Sequence, residues 1–264
     1  MLNNPTIALL ISTYNWPEAL ELVLKSILQQ SRMPNEVVIA DDGSTETTRK
    51  LIERYQRKFP IPIKHIWHED LGFRKSLILN KAVKAVTSEY IVEIDGDIVI
   101  HQNFVSDHLK SAEKGYFVQG SRAMLNERKT RQLLSNKNVN LSFFSTGVKN
   151  RFNALRLPIL KKIFELGFSD PFHIKGCNLA FWKADYVNVN GYYNSFNGWG
   201  GEDYEFGARL LHAGIKRKHL KWAALAFHIH HRENCRLNTG TNDVIYKRTR
   251  RERLSYASNG FAEV

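Results

Sequence analysis

Tyr90-Ile91-Val92-Glu93-Ile94-Asp95-Gly96-Asp97 is the stretch that decides the fold, because a mostly apolar run ends at two acids separated by one glycine. A short run rich in β-branched and aromatic residues, closed by turn residues, predicts a buried strand. Two carboxylates at such an end can surround one cation, and Mg²⁺ and Mn²⁺ prefer oxygen ligands. The sequence shows no obvious Lys or Arg beside the pair, so we expect a cation to relieve the repulsion. An ordinary turn is the alternative.

Two earlier segments end in the same way. A buried strand is predicted at 7–11 and is followed by Ser12-Thr13-Tyr14-Asn15, and a second at 37–40 is followed by Asp41-Asp42-Gly43-Ser44. Helices are predicted between the strands. The expected helices are 16–29, 44 or 45 to 58, and 75–86, with a third strand at Ile63-Lys64-His65-Ile66-Trp67. This alternation predicts an α/β fold with a parallel sheet, whose ligands collect at the carboxyl ends of the strands.

The second half of the chain is more basic and less regular. Residues 122–155 are polar without a clear period, which predicts a mobile loop or an irregular helix. Between Arg122 and Lys162 there are ten Lys or Arg against one acid, Glu127, and a second basic block spans 246–253; the net charge is +12. Such charge suits an anionic membrane face or a phosphorylated substrate, and a solvated face without a partner is the alternative.

The protein is expected to be cytoplasmic, with peripheral contact at the inner membrane face. Only two cysteines occur, and neither belongs to a Cys-x-x-Cys pair, which fits a reducing compartment. We find no signal peptide and no apolar run near the roughly 20 residues that a spanning helix needs. The basic block near the C-terminus is the segment expected to contact anionic lipid.

Two further motifs carry candidate chemistry. Trp199-Gly200-Gly201-Glu202-Asp203 places two acids after a glycine turn, where one acid can serve as a general base and the indole of Trp199 can face a sugar ring. Acids that merely favour a helix N-terminus are the alternative. His228-Ile229-His230-His231 follows a predicted late strand at 222–228, and His228 is a candidate third metal ligand. His228 and His230 should point to opposite faces of an extended segment.

Taken together, the motifs resemble glycosyltransferase family 2, the inverting transferases with the GT-A fold. The resemblance spans roughly residues 5–232 and implies a Rossmann-like, mixed, mostly parallel sheet flanked by helices. In the N-terminal half it is carried by 12–15, 41–44, Gly72-Phe73-Arg74-Lys75 with Asn80-Lys81-Ala82, and 95–97. In the C-terminal half, 175–181, Gly191-Tyr192 and 198–203 are similar to the C-terminal motif shared by β-1,4-galactosyltransferases and bacterial chondroitin polymerases.

The resemblance also implies roles for individual residues. Ser12, Tyr14 and Asp42 would hold the uracil and ribose, and Asp95 would face the ribose and the metal. Leu79 stands where many relatives carry an Arg, so Arg74 or Lys75 is expected to contact the nucleotide instead. The remaining roles are Asp97 and His228 as further metal ligands, Asp203 as the base, Glu202 binding a sugar, and Gly176, Cys177 and Asn178 lining the donor sugar beside Trp199.

A single domain over 1–264 is therefore predicted, with a nucleotide-binding half at 1–100, an acceptor-binding half at 101–232 and a basic tail at 233–264. The predicted activity is inverting transfer of a hexose or N-acetylhexosamine from a UDP-sugar to a hydroxyl of a glycan or lipid-linked acceptor. Mn²⁺ or Mg²⁺ is the expected cofactor, and the resemblance favours a bacterial surface polysaccharide or lipopolysaccharide pathway. The alternatives are a nucleotide-sugar-binding scaffold and a nucleic-acid-binding protein, both without transferase activity. A nucleotidyltransferase is a further alternative, but it would usually carry a glycine-rich phosphate loop near its N-terminus, and the sequence shows none there.

Overall fold

The computed structural model describes residues 5–163, 174–198, 200–231 and 239–264. The strands within these ranges are β1 (Ile7–Thr13), β2 (Glu36–Asp41), β3 (Ile63–Trp67), β4 (Tyr90–Asp95), β5 (Ile98–Ile100), β6 (Tyr116–Gly120), β7 (Arg122–Leu125), β8 (Val148–Lys149), β9 (Leu179–Trp182), β10 (Lys216–Leu220) and β11 (Ala226–His228). The helices are α1 (Pro17–Leu28), α2 (Glu46–Gln56), α3 (Lys75–Ala85), α4 (Phe104–Leu109), α5 (Glu127–Asn136), α6 (Lys183–Asn188), α7 (Glu202–His212) and α8 (Thr239–Arg251). Three short 3₁₀ helices span Arg151–Ala154, Pro158–Ile163 and Gly176–Asn178.

A seven-stranded sheet forms the centre of the molecule, in the order β10-β6-β9-β4-β1-β2-β3. Every pairing in it is parallel except those of β9, which is antiparallel to β4 and β6. Side chains alternate across a strand, so Leu9 packs in the same apolar cluster as Leu20 of α1, while Leu10 packs with Ile78 of α3 on the opposite face. The predicted mostly parallel sheet flanked by helices is confirmed.

A second sheet has four strands in the order β5-β11-β7-β8, and two of them, β7 and β8, lie where the sequence predicted a mobile loop or an irregular helix. That prediction is wrong, because β7 and α5 are regular elements within 122–155. Met124 of β7 pairs with His228 of β11, about a hundred positions along the chain. Because β7 is stabilised by so distant a partner, its own sequence need not show the hydrophobic period of a strand. The Asn126 side chain caps α5 by accepting from the amide of Lys129 at 2.8 Å.

The predicted late strand is shorter than expected. It begins at Ala226 rather than Trp222, because Trp222 and Ala224 have left-handed backbone conformations, with φ of 61° and 46°. The third strand agrees with its prediction at both ends, and α2 begins directly after Thr45. The parts of the sequence that were correctly placed are therefore those with local apolar patterns.

The described part of the C-terminal segment packs against the protein body. The Thr249 hydroxyl donates to the buried Glu205 carboxylate at 2.9 Å, and the amide of Phe261 donates to the carbonyl of Asn190 at 2.8 Å. Lys247 and Arg248 of α8 are exposed and form ion pairs within the segment. Among the helices that the structure describes, none combines the length and apolar character needed to cross a bilayer.

Candidate active site

The two acids of the opening motif lie at the junction of the two sheets. Asp95 ends β4 in the large sheet, and β5 of the small sheet begins one residue after Asp97. A Cβ on Gly96 would lie 2.9 Å from the carbonyl oxygen of Ser12, which already accepts the Gly96 amide at 2.7 Å. Only glycine fits this close approach to β1. The junction therefore sends the two carboxylates into different surroundings.

Asp95 is paired with a cation of the chain itself. Its Oδ1 accepts from the Lys75 ammonium at 2.7 Å and from the Ser12 hydroxyl at 2.9 Å. The expectation that no Lys or Arg neutralises the acids is wrong for Asp95, because Lys75 reaches it from the first turn of α3. The metal-ligand and ribose roles assigned to Asp95 stay predictions.

Asp97 faces two histidines. Its Oδ2 lies 3.2 Å from Nε2 of His228 and 3.2 Å from Nε2 of His231, and one ligand atom from each of the three residues fits within 4.8 Å. Burial favours the neutral acid, but hydrogen bonds from the two rings outweigh it and hold the pKa of Asp97 below its usual range. Asp97 Oδ1 and His228 Nδ1 are buried without a hydrogen-bond partner. One carboxylate and two imidazoles form a donor set that fits Mn²⁺.

Sequence reasoning named His228 for this cluster and missed His231. His231 lies three positions after His228, beyond the end of β11, where the strand rule for side-chain direction no longer applies. The amide of Ile229 donates to the carbonyl of Asp97 at 3.1 Å, which holds the histidine segment beside the acid. His230 is exposed and lies outside the cluster.

The two acids after the glycine turn begin α7. Gly200 and Gly201 adopt φ of +106° and +96°, conformations that favour glycine, and the Gly200 amide donates to the Glu202 carboxylate at 3.0 Å. The amide of Gly176 donates to Asp203 Oδ2 at 2.7 Å, and a Cβ on Gly176 would lie 2.7 Å from Asp203 Oδ1. Gly176, predicted to line the donor sugar, therefore directly positions the predicted base.

Burial and nearby negative charge raise the pKa values of Glu202 and Asp203. Burial is the main cause that raises the pKa of Asp203, and Lys75 opposes it. Burial and the charge of Asp203 raise the pKa of Glu202 to about 7. Burial disfavours the charge of Lys75, but the surrounding carboxylates keep its pKa well above the usual value. These carboxylates are Asp95, Asp203, Glu93 and Glu202.

The charges around Lys75 and Arg122 join the two motifs into one site. The charges of Asp95 and Asp203 both raise the pKa of Lys75, and those of Asp95 and Asp97 both raise the pKa of Arg122. The acids of the opening motif and the acid after the glycine turn are thus brought together.

Glu93 belongs to the site, and no sequence signal identified it, because it lies inside an apolar strand. Its side chain is fully buried and accepts from the Tyr192 hydroxyl at 3.0 Å, and the same hydroxyl lies 3.5 Å from Asp203 Oδ1. Burial raises the pKa of Glu93 well above its usual value, although Lys75 opposes the shift. The raised pKa shifts Glu93 toward its neutral form, and this shift reduces the negative charge that the Lys75 ammonium must balance.

The predicted nucleotide-binding residues lie at the carboxyl ends of β1 and β2. Asp42 is buried, with its carboxylate 2.6 Å from His68 Nε2 and accepting from the Arg74 amide at 2.8 Å. Tyr14 is half-exposed, and its hydroxyl donates to Asp70 at 2.8 Å. Sequence reasoning did not name His68 or Asp70. The arrangement offers a carboxylate and an aromatic ring beside each other.

Asn178 and Cys177 are directed into the protein. The Asn178 amide group donates to the carbonyls of Ser121 at 2.9 Å and Ala224 at 3.1 Å, and its oxygen lies 2.9 Å from His108 Nε2. The Cys177 sulfur lies 2.9 Å from Arg122 Nη1, and burial raises the pKa of this thiol to about 12.

The Asn178 side chain thus serves to hold strand ends in this arrangement, and its contact with a donor sugar stays a prediction. Trp199 lies outside the described residues.

Residues 8–179 match the model of glycosyl transferase family 2, which is more than half of the chain. The chain belongs to this family. Residues 167–232 match a second model, described as the N-terminal domain of galactosyltransferase. The resemblance inferred from the motifs is confirmed.

The curated relatives are longer than this chain. The chain is 28% identical over 227 residues to a chondroitin synthase of Pasteurella multocida, covering 80% of this chain and 23% of the relative. It is 29% identical over 233 residues to a validoxylamine A glucosyltransferase of Streptomyces hygroscopicus, covering 80% and 49%. The chain thus spans between about a quarter and about half of these relatives.

Solved structures share the fold at low sequence identity. TarS residues 1–349 of S. aureus superimpose with a TM-score of 0.65 at 17% identity, covering 97% of this chain and 67% of that one. The mannosyltransferase PcManGT of Pyrobaculum calidifontis, in complex with GDP-Man and Mn²⁺, gives a TM-score of 0.59 at 19% identity, covering 86% and 57%. The fold is the GT-A fold.

Proposed function

We propose that this glycosyltransferase moves a hexose or N-acetylhexosamine from a UDP-sugar to an acceptor hydroxyl, with inversion at the anomeric carbon. The observation that carries the proposal is the partly buried Asp203, fixed by the Gly176 amide and sharing the Lys75 ammonium with Asp95. This arrangement puts a carboxylate with a raised pKa beside the strand ends where a nucleotide is expected. Asp203 is the proposed general base.

The donor is proposed to lie along the carboxyl edge of the large sheet. Tyr14 and Asp42 hold the base and ribose, with Ser12, Arg74 and Lys75 near the remaining nucleotide. A TarS structure in complex with UDP-GlcNAc, which has a TM-score of 0.62 at 18% identity, supports a UDP-sugar by analogy only. Asp95 would face the ribose and the metal.

Asp97, His228 and His231 are proposed to hold Mn²⁺ or Mg²⁺, with Asp95 nearby. Support comes from the buried Asp97 Oδ1 without a partner and from the ligand atoms within 4.8 Å of one another. When bound, the ion neutralises charge on the diphosphate leaving group. Deprotonated Asp97 and a neutral imidazole are the forms that bind a metal.

In the proposed reaction Asp203 accepts the proton of the acceptor hydroxyl. The hydroxyl oxygen forms a bond to the anomeric carbon as the bond from that carbon to the diphosphate oxygen breaks. The positive charge of Lys75 offsets the repulsion among the surrounding carboxylates while Asp203 is ionised. Glu202 contacts a sugar hydroxyl. No second carboxylate is assigned as a nucleophile, so a single displacement inverts the configuration.

The acceptor is proposed to be a glycan or a lipid-linked sugar of a bacterial surface polysaccharide or lipopolysaccharide pathway. Similarity to a chondroitin synthase and to a hyaluronan synthase supports a sugar as acceptor. We propose that the protein acts in the cytoplasm. The basic stretch of the second half supports an acceptor that carries phosphate.

A screen of sugar nucleotides with Mn²⁺ tests the proposal. Release of nucleoside diphosphate from one UDP-sugar, stimulated by an acceptor and lost in Asp203→Asn, is the expected result. The exposed Asp243→Asn provides a control that should keep full activity. Binding of a UDP-sugar without turnover under any acceptor would instead identify a scaffold, and binding of nucleic acid alone would reject both.

A further inference from the structure

The segment 144–160 exposes an unusual number of apolar side chains. Among the described residues twelve large apolar side chains are exposed, and five of them lie in these 17 positions. Phe144 is 85% exposed, Phe152 72% and Ile159 91%, so these side chains contribute little to the core. Exposed apolar side chains gathered in one short segment favour an interaction site over a solvated face.

Two polar side chains of the same segment bind to the protein body. Asn153 donates to the carbonyl of Arg122 at 2.9 Å, and Arg156 forms a 2.8 Å ion pair with the buried Asp107. The amide of Leu157 donates to the carbonyl of Trp222 at 2.9 Å. These polar contacts, together with the buried Val148 and Ala154, hold the segment to the body, while five large apolar side chains stay exposed.

The charged side chains of the segment itself are all basic. Between Glu127 and Glu165 the sequence contains no acid. Lys149 and Arg151 are exposed within the segment, and Arg151 holds Phe143 by donating to its carbonyl at 2.6 Å, while the rings of Phe143 and Phe144 meet edge to face. Apolar side chains with a basic surround match the interface of an anionic bilayer, where apolar groups enter and Lys or Arg meet the phosphates.

We propose that Phe144, Phe152 and Ile159, with Lys149 and Arg151, form a surface that docks onto an anionic lipid bilayer. This surface is separate from α8, the basic helix that sequence reasoning assigned to lipid. Asn153 bonds to Arg122, where β7 begins, and β7 pairs with β11, which ends at His228 of the Asp97 cluster. Docking would hold the small sheet near the membrane. The advantage for a lipid-linked acceptor rests on the proposed function, whereas the docking itself does not.

Flotation of the full chain with vesicles tests the docking, using phosphatidylcholine with and without phosphatidylglycerol and no sugar nucleotide. The wild type should float with the anionic vesicles. The triple variant Phe144→Ser/Phe152→Ser/Ile159→Ser should lose about tenfold or more in partitioning, and Lys149→Gln about fivefold. Val244→Ser and Lys247→Gln change exposed apolar and basic side chains of α8 and should leave binding unchanged.

Three outcomes overturn the docking: a wild type that ignores anionic vesicles, a triple variant that binds like the wild type, and a loss confined to the α8 variants. A wild-type dimer that the triple variant disperses, without any vesicle binding, overturns it as well and identifies a second copy as the occupant. Thermal unfolding and Mn²⁺-dependent UDP binding verify that each variant is folded. Because flotation needs no catalysis, failure of the docking leaves the proposed transferase activity untouched, and the reverse also holds.

Discussion

Asp95 and Asp97 are separated by one glycine, yet they belong to two regions that treat a carboxylate in opposite ways. Around Asp95 the acids Asp203, Glu202 and Glu93 share one ammonium, and the pKa values of these three acids are raised. Around Asp97 two imidazoles face a single acid, and its pKa is lowered. The first region is suited to accepting a proton and the second to holding a cation.

Removal of the proposed base should have the largest effect. Asp203→Asn keeps the shape of the side chain and the contact with the Gly176 amide, but the amide cannot take a proton. We expect a loss of about 10³-fold in kcat with little change in donor affinity, measured by diphosphate release and by calorimetry. Turnover within about tenfold of the wild type would assign the base elsewhere.

Parallel variants of the two neighbouring acids separate their regions. Asp97→Asn should raise the Mn²⁺ concentration for half-maximal activity by about 100-fold, because it removes the anionic ligand between the two imidazoles. Asp95→Asn should act mainly on the KM of the donor, since its carboxylate is held by Lys75 and Ser12. Equal shifts in Mn²⁺ dependence for both variants would mean that both acids ligate the metal directly.

The histidine that sequence reasoning missed gives a smaller, specific effect. His231→Asn should weaken Mn²⁺ binding by about tenfold, because one of the three ligand atoms is lost. His230→Asn is the matched control, since His230 is exposed one position away and should bind the metal as the wild type does. Electron paramagnetic resonance of bound Mn²⁺ measures both. A loss in the His230 variant instead would exchange their roles.

The two regions also differ in how much of them the sequence could predict. The strands that end at Thr13, Asp41 and Asp95 were predictable to within two residues of these ends, because each contains an apolar run with a local pattern. The small sheet was not, because β7 pairs with residues about a hundred positions away. The same reason explains why the Lys75–Asp95 pair and the role of His231 were missed: side chains distant in sequence, or beyond a strand end, meet only in the folded chain.

The ammonium of Lys75 should set the pH dependence of the base region. Lys75 lowers the pKa of Asp203 against the effect of burial, so Lys75→Met should raise that pKa further. Since the base acts as a carboxylate, the acidic limb of the kcat profile should move to higher pH. Lys75→Arg retains the charge and should restore most of the wild-type profile. An acidic limb that stays in place in the Met variant would show that Lys75 does not act on the base.

The smallest expected effect concerns stability and distinguishes the regions by its sign. The pKa of Glu202 is raised to about 7 from an ordinary value of 4.5, so the folded protein holds this proton more tightly than the unfolded chain. Stability should therefore fall as pH rises between these two values, whereas the lowered pKa of Asp97 contributes stability that is lost on acidification. Glu202→Gln removes the first contribution. From about pH 5 to about pH 8 the free energy of unfolding of the variant should therefore fall by about 1 kcal/mol less than that of the wild type. The difference is small because the neighbouring Asp203 takes up part of the effect. Urea unfolding of the metal-free protein measures this change, with the exposed Glu127→Gln as control. If the free energy of unfolding of the Gln variant fell with pH as steeply as that of the wild type, the group with the raised pKa would be another acid near Lys75.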